Sequence, residues 1–263
     1  MAQRLLNKVA VVTGATGSLG RAVVQRFLAE GAKVVVFGRN RGRLDELAGL
    51  AAARVLVVEG DVTNSTDLDG LVATAVRRFG SIDVLVPAAG IFQPATLRES
   101  TPQFVAAMFA VNLHGALEMV RLFEPHLNTG ASIVFLTTSA ASRGGCGPFG
   151  ASKAAVASLA RSLAVELSPR GIRVNCVAPV QIDALSGATP TALRGRAEVE
   201  TAPQSAHHTA QQVADTVLFL ASDAAAGITG QELIVDTPTL RSVSDVTCPH
   251  PAVLPRRHAL DQP

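Results

Sequence analysis

The chain has 263 residues, a formal net charge of +2 and a hydrophobic content of 48%, with three cysteines and neither tyrosine nor tryptophan. This length fits one large domain better than two, and the small net charge gives no sign of a nucleic-acid partner or an anionic membrane. No uninterrupted apolar run approaches the roughly 18 residues of a membrane span, and because the first predicted strand begins within ten residues we expect no signal peptide. The cysteines form no metal-spaced pair and no disulfide framework, which favours a cytoplasmic protein without a bound metal.

Seven short apolar runs alternate with longer helical patterns. The runs are continuous in Val, Ile and Leu, as expected for strands of a parallel sheet that is covered on both faces. The βαβα order predicts an α/β fold with a doubly wound parallel sheet of about seven strands and helices on both faces. The predicted strands are 9–14, 33–38, 54–60, 82–90, 131–138, 172–179 and 231–236, and the predicted helices are 18–30, 41–52, 65–79, 101–123, 149–167 and 209–221.

Two segments interrupt this alternation. Residues 181–208 are long and rich in Pro, Gly and Ala, and we predict a substrate lid or loop there. Residues 237–263 are rich in Pro, Arg and His and are predicted to form an irregular C-terminal tail. The predicted single domain therefore covers residues 1–236.

A glycine-rich stretch, 13-TGATGSLG-20, lies between the first predicted strand and the first predicted helix. Glycines at this point let the backbone turn tightly and approach a pyrophosphate, which then binds at the helix N-terminus. Its position within a βαβ unit makes the pattern specific for a dinucleotide. The residues predicted to bind the cofactor here are Thr13, Gly14, Thr16, Gly17, Ser18, Leu19 and Gly20.

The second predicted strand ends at 38-GRNRGR-43. An NAD-binding domain of this kind usually has an acidic residue there for the ribose 2′-hydroxyl, whereas Arg39 suits a 2′-phosphate. We therefore expect NADP(H) rather than NAD(H), the alternative being an ordinary solvated basic turn. After the third strand, Asp61 and Val62 are placed to contact an adenine, although Asp61 would also fit a turn or a helix cap.

With these motifs the sequence resembles the short-chain dehydrogenase/reductase superfamily over roughly residues 5–236. Asn112 in 109-FAVNLHG-115 matches the asparagine that holds a water near the active lysine, and Ser139 in 137-TTSAAS-142 matches the serine that orients the substrate oxygen. Lys153 in 150-GASKAAV-156 matches the lysine that binds the nicotinamide ribose. The resemblance implies a Rossmann-type domain, a small-molecule substrate and a homodimer or homotetramer, with further cofactor contacts from Ala89, Gly90 and Pro179.

The sequence departs from the family pattern on one side of the cleft. Phe149 stands where the family has its catalytic tyrosine, and a phenyl ring has no proton to transfer to a substrate oxygen. Both asparagines of the NNAG motif are absent from 87-PAAG-90, and Val180 and Ala184 replace the usual glycine and threonine. These changes cluster around the nicotinamide half of the predicted cofactor cleft, whereas the adenine half keeps the residues of the family pattern.

Three functions are compatible with this pattern. We favour an atypical enzyme acting on a small carbonyl or hydroxy compound by altered or non-redox chemistry, of the cyclase, dehydratase or isomerase type. Ser139, Asn112 and Lys153 would polarise a carbonyl, Phe149 would form a pocket wall, and the nucleotide would be weakly bound or not used for redox. The alternative is an NADP(H)-dependent carbonyl reductase or alcohol dehydrogenase that has another proton donor or has lost activity. A third is a non-catalytic nucleotide- or partner-binding protein, which has little need of a polar cluster in a dry cleft.

Overall fold

The computed structural model describes residues 3–93, 95–139, 141, 146–179 and 210–235. The predicted lid, 181–208, and the predicted tail, 237–263, lie outside these residues. The described chain contains a seven-stranded parallel sheet in the order β3-β2-β1-β4-β5-β6-β7, which confirms the predicted fold class. Its strands are β1 (Val9–Thr13), β2 (Lys33–Gly38), β3 (Val55–Glu59), β4 (Ile82–Pro87), β5 (Leu127–Leu136), β6 (Arg173–Pro179) and β7 (Glu232–Val235).

Helices cover both faces of the sheet, as the continuous apolar strands require. The helices are α1 (Ser18–Ala29), α2 (Arg41–Leu50), α3 (Ser65–Phe79), α4 (Pro102–Phe109), α5 (Gly115–Phe123), α6 (Gly147–Glu166) and α7 (Ala210–Ala221). One core cluster packs α3, α5 and α6 against the sheet, around residues such as Leu71, Phe123 and Val156. A second cluster packs α1, α2 and α7 on the other face, around residues such as Phe27 and Leu218.

The strand order reverses beside β1. This strand pairs with β2 on one side and with β4 on the other, so the connections from β1 and β4 leave in opposite directions. A crevice forms at such a switch point outside the carboxyl ends of the strands, and ligands of open α/β sheets bind there. The glycine-rich stretch after β1 and the 87-PAAG-90 segment after β4 meet at this crevice.

The predicted helix 101–123 is interrupted. Thr101 caps α4 by accepting a hydrogen bond from the Phe104 amide at 3.2 Å, and a π-helical turn, Ala110–His114, separates α4 from α5. By length and composition alone, the helical stretch Pro102–His126 could cross a membrane, which a search for uninterrupted apolar runs missed. In the fold, this stretch packs Met119 and Phe123 into the core of the domain.

The two cysteines in the described part of the chain are both buried. Cys176 is a free thiol on β6, and Cys146 packs beside Phe149 and Met108. The cytoplasmic localisation that the cysteine pattern favours stays a prediction.

Candidate active site

The glycine turn after β1 is pressed against the end of β4. Gly14 has a φ of 62°, and a Cβ there would lie 2.6 Å from the Ala89 Cα. A Cβ at Gly20 would lie 2.3 Å from the carbonyl oxygen of Gly14. Both contacts are with backbone that cannot swing away, so no side chain fits at either position. The Gly17 amide closes the turn by donating to the Gly14 carbonyl at 3.0 Å.

The N-terminus of α1 opens directly from this turn. Gly17 occupies the cap position without a side-chain hydrogen bond to the helix, and the first turn contains no acidic residue. The first amides of the helix are thus available to an anion, whose charge the helix dipole favours. Thr13 ties the turn to the segment after β4, because its hydroxyl accepts from the Ala89 amide at 3.3 Å. This arrangement fits the pyrophosphate of a dinucleotide.

Arg39 lies just beyond the carboxyl end of β2, with 75% of its side chain exposed. Its guanidinium is 3.7 Å from the Asp61 carboxylate. The pKa of Asp61 is held below its usual value by a hydrogen bond from the Thr63 amide, then by the Thr63 hydroxyl and the charge of Arg39. Asn40 caps α2, so Arg39 stands outside the helix beside the cleft.

Val62 points inward. A Cβ on Gly115 would lie 2.9 Å from the Val62 side chain, and 9% of Val62 is exposed. This close packing joins the segment after β3 to the start of α5. Little of the Val62 side chain is left to contact an adenine, so its sequence-predicted role would fall to its backbone.

Asn112 lies on the π-helical turn and is buried. Its Oδ1 accepts from the Ile91 amide at 2.8 Å, and its Nδ2 lies 3.1 Å from the Ile91 carbonyl oxygen. The same Nδ2 is 3.0 Å from the Ser152 hydroxyl and 3.2 Å from the Met108 sulfur. The amide side chain therefore fastens the segment after β4 to α6, instead of facing a substrate.

Ser152 is a positioning residue that the sequence interpretation missed. It is fully buried, receives the bond from Asn112 and donates to the Phe149 carbonyl at 2.7 Å. It thereby connects Asn112 to the first turn of α6. Its position directly before Lys153, three residues after Phe149, could have indicated a helical serine that bonds back to its own backbone.

Lys153 is buried within α6, and its ammonium donates to the Leu136 carbonyl oxygen at 2.8 Å. Burial lowers the pKa of this amine to about 8. The exposed residue Gly90 lies next to this amine. A Cβ at Gly90 would be 3.4 Å from the Lys153 Nζ and 3.2 Å from the Asn112 Oδ1. The sequence-predicted residues Gly90, Asn112 and Lys153 thus meet at one point of the cleft.

Phe149 forms part of a small apolar cluster. Its ring packs edge to face on Phe92, with centroids 4.8 Å apart and an angle of 88° between the planes. Met108 and Cys146 complete the buried cluster, with Phe104 against it. Phe92 was not singled out from the sequence, because an isolated phenylalanine in a loop gives no sign of its partner.

Two hydroxyl residues after β5, Thr138 and Ser139, differ in their exposure. Ser139 is 2% exposed, and its amide donates to the Pro179 carbonyl at 3.2 Å. The neighbouring Thr138 is partly exposed, and its hydroxyl donates to the same carbonyl at 3.4 Å. Thr138 is therefore the more exposed of the two residues, and it was not singled out from the sequence although 137-TTS-139 offered three candidates.

Across the part of the chain that the structure describes, no group of three or more His, Cys, Asp or Glu residues could hold a metal ion.

Comparisons with known proteins agree with this geometry. A family model described as enoyl-(acyl carrier protein) reductase matches residues 14–237. The cis-2,3-dihydrobiphenyl-2,3-diol dehydrogenase of Pseudomonas sp. strain KKS102 is 39% identical over 210 residues, covering 77% of this chain and 73% of that protein.

Two solved structures are similar over most of the chain. A short-chain dehydrogenase/reductase of Brucella melitensis, named as a glucose/ribitol dehydrogenase, is 32% identical with a TM-score of 0.79, covering 89% of this chain and 97% of that one. A blue fluorescent protein from a metagenomic library, solved in complex with NADPH, is 26% identical with a TM-score of 0.78, covering 89% and 98%. The glycine turn, the switch-point crevice, the buried lysine and these similarities together show that the chain belongs to the short-chain dehydrogenase/reductase superfamily, a family of oxidoreductases that bind a nicotinamide cofactor.

Proposed function

We propose that the protein is an NADP(H)-dependent carbonyl reductase or alcohol dehydrogenase that works without a catalytic tyrosine. The observation that carries this proposal is the exposed guanidinium of Arg39 standing beside an intact glycine turn at the switch point. The dehydrogenase and reductase names of similar proteins favour this redox function over the cyclase, dehydratase or isomerase that the sequence alone favoured.

Different residues of the described structure would bind different parts of the cofactor. The first amides of α1 would take the pyrophosphate, and Arg39 would turn from Asp61 to the 2′-phosphate. Asp61 stays ionised at neutral pH, because its lowered pKa leaves it without a proton. It would therefore repel a 2′-phosphate that Arg39 did not neutralise. Lys153, below the exposed Gly90, would approach the nicotinamide ribose.

When bound, the cofactor supplies or accepts a hydride, and the chain has to manage the substrate oxygen. The Lys153 ammonium provides positive charge at that end of the cleft, where low polarity strengthens its effect on a developing oxyanion. The Thr138 and Ser139 hydroxyls would orient the oxygen. Phe149 and Phe92 would exclude water from one side and leave an apolar surface for the carbon skeleton.

The test is NADPH oxidation in the presence of a panel of small ketones and aldehydes, followed at the absorbance band of the reduced nicotinamide. We expect carbonyl-dependent oxidation that Arg39→Asp slows at low NADPH concentration and that saturating NADPH partly restores. Arg41→Gln is the matched control, because Arg41 is already paired with Asp45 on α2 at 2.9 Å. Binding of NADPH without oxidation by any carbonyl would contradict the proposal.

The non-redox function keeps one specific observation in its favour, which is that Phe149 offers no proton. It makes a different prediction for the same panel, since a cyclase, dehydratase or isomerase would convert its substrate with no net change in the nucleotide. Product analysis of reactions run with and without NADPH therefore separates the two functions. Turnover that continues unchanged after the nucleotide is removed would replace the redox proposal.

A further inference from the structure

A carbonyl that receives a hydride must also receive a proton, and the usual source is absent from this chain. Phe149 has only carbon-bound hydrogens, and no tyrosine exists elsewhere in the sequence. Aliphatic hydroxyls such as those of Thr138 and Ser139 are very weak acids that need a partner to replace any proton they give. Cys176 lies within the sheet on β6, and burial raises the pKa of its thiol to about 12.

We infer that Lys153 itself delivers the proton to the substrate oxygen, an inference that rests on the proposed reductase function. In the described part of the chain, its ammonium has one hydrogen-bond acceptor, the Leu136 carbonyl at 2.8 Å. An ammonium has three N–H groups. Two therefore remain for other acceptors, such as a substrate oxygen.

The residue beside the Lys153 amine has no side chain. A Cβ at Gly90 would lie 3.4 Å from Nζ, so any larger residue there would cover the amine. Gly90 is itself exposed, so the buried amine lies next to a residue that solvent reaches. The Phe149 ring, one helical turn earlier on α6, packs on Phe92 and offers no group that competes for the N–H bonds.

The groups that face Lys153 leave it able to release a proton. Asn112, on the π-helical turn, is neutral, and Leu136 on β5 contributes a carbonyl dipole. Cys176 on β6 is the described titratable group whose charge acts on the amine, and its raised pKa keeps it neutral at neutral pH. Glu232 on β7 acts on Cys176 and accepts a hydrogen bond from Thr137 at 2.7 Å. No neighbouring carboxylate therefore holds the proton on Lys153 in the described structure, and burial lowers its pKa to about 8.

The step balances without a further reactant. The reduced nicotinamide provides the hydride to the carbonyl carbon, and one N–H bond of Lys153 breaks as the new O–H bond forms. The products are an alcohol, the oxidised nicotinamide and a neutral amine, which regains its proton from water. In the oxidation direction, the neutral amine would accept the hydroxyl proton.

The experiment compares Lys153→Arg with the wild type. Arginine keeps the positive charge but does not release its proton, so it separates charge from acid catalysis. NADPH binding by the variant is measured first by cofactor fluorescence, so that reduction rates of both proteins are compared at saturating NADPH. We expect the variant to reduce the best carbonyl of the panel roughly 100-fold more slowly or worse, the usual cost of losing a general acid. Lys33→Arg, on β2 and away from the cleft, is the matched control and should behave as the wild type.

A second measurement locates the acid independently of turnover. The chain has three lysines, Lys8, Lys33 and Lys153, so a protein labelled with ¹³C at lysine Cε gives three signals, and Lys153→Arg identifies one of them. That signal should titrate near pH 8 in the NADPH-free protein. The reduction rate of the wild type should fall above the same pH, because the protonated amine is the active form.

The outcomes separate the inference from the function on which it rests. If the wild type binds NADPH and reduces a carbonyl but Lys153→Arg reduces it as fast, the inference is wrong and the proposed function stands. If the fall of the reduction rate at high pH does not coincide with the titration of the Lys153 signal, the inference is also wrong. If Lys153→Arg fails to fold, Gly90→Ala gives a second test, since a methyl group at 3.4 Å from Nζ should slow reduction while the lysine signal persists. A wild type that reduces no carbonyl overturns both.

Discussion

The adenine half and the nicotinamide half of the cleft are constrained by different physics. At the adenine half, Gly14 and Gly20 lie so close to backbone atoms that the fold itself forbids a side chain. At the nicotinamide half, Phe149 packs in an apolar cluster with Phe92 and Met108, and it is the chemistry at a substrate oxygen that would require a tyrosine there. These glycines therefore report the fold, whereas we propose that the charges of Arg39 and Lys153 report the function.

The largest effect should come from the glycine turn. Gly14→Ala would combine a left-handed backbone with a backbone clash at 2.6 Å and should lower the free energy of unfolding by about 2–4 kcal/mol. Gly49→Ala, on α2 with nothing within 4 Å of its Cβ, should raise it by about 0.5–1 kcal/mol. Urea denaturation measures both. Similar stabilities for the two variants would show that the turn is not tightly packed.

Lys153→Met should stabilise the NADPH-free protein while it abolishes activity. The pKa of Lys153 falls from 10.5 to about 8 on folding, so burying the charged form costs up to about 3 kcal/mol near pH 7. This cost is complete below about pH 8 and disappears as the pH rises towards 10.5, so the advantage of the variant should shrink over that interval. Thermal unfolding of both proteins between about pH 7 and pH 10.5 measures this difference in stability. A variant that is less stable than the wild type near neutral pH would mean that the lysine stabilises the fold.

Arg39→Asp should affect binding and leave stability nearly unchanged, because the side chain is 75% exposed. Losing the charged contact with a 2′-phosphate and adding a negative charge should weaken NADPH binding by roughly 10- to 100-fold. NADH, which lacks this phosphate, should bind as well as before or better. An unchanged NADPH affinity in Arg39→Asp, measured by fluorescence titration beside Arg41→Gln, would place Arg39 in the solvated basic turn that the sequence also allowed.

Phe149→Tyr should have the smallest effect, a change in the reduction rate of less than about tenfold. The ring at this position is held edge to face against Phe92 in an apolar cluster, so an added hydroxyl would not automatically reach a substrate oxygen. Steady-state reduction of the carbonyl panel tests this. A gain of 10²–10⁴, the usual value of a general acid, would show that the phenylalanine is the single lesion of an ordinary reductase.

The sequence predicted what depends on local pattern. Continuous apolar runs gave the parallel sheet, and the glycine spacing gave the turn at the end of β1. Contacts between distant segments were beyond it. The pairing of Phe92 with Phe149, the bonds from Asn112 to Ile91 and Ser152, and the burial of Ser139 beside a more accessible Thr138 all depend on tertiary packing. A π-helical turn in place of regular helix also changes which side chains share a face, so helical spacing could not place Asn112.

The central claim is that the retained half of the cleft binds NADP(H), and titration of the wild-type protein with NADPH and with NADH tests it most directly. The chain has no tryptophan, so the fluorescence of the reduced nicotinamide can be followed without energy transfer from that residue. The claim predicts saturable binding of NADPH that is at least about tenfold tighter than that of NADH, because the Arg39 guanidinium would contact the 2′-phosphate that NADH lacks. Equal affinities for the two nucleotides, or tighter binding of NADH, would contradict it.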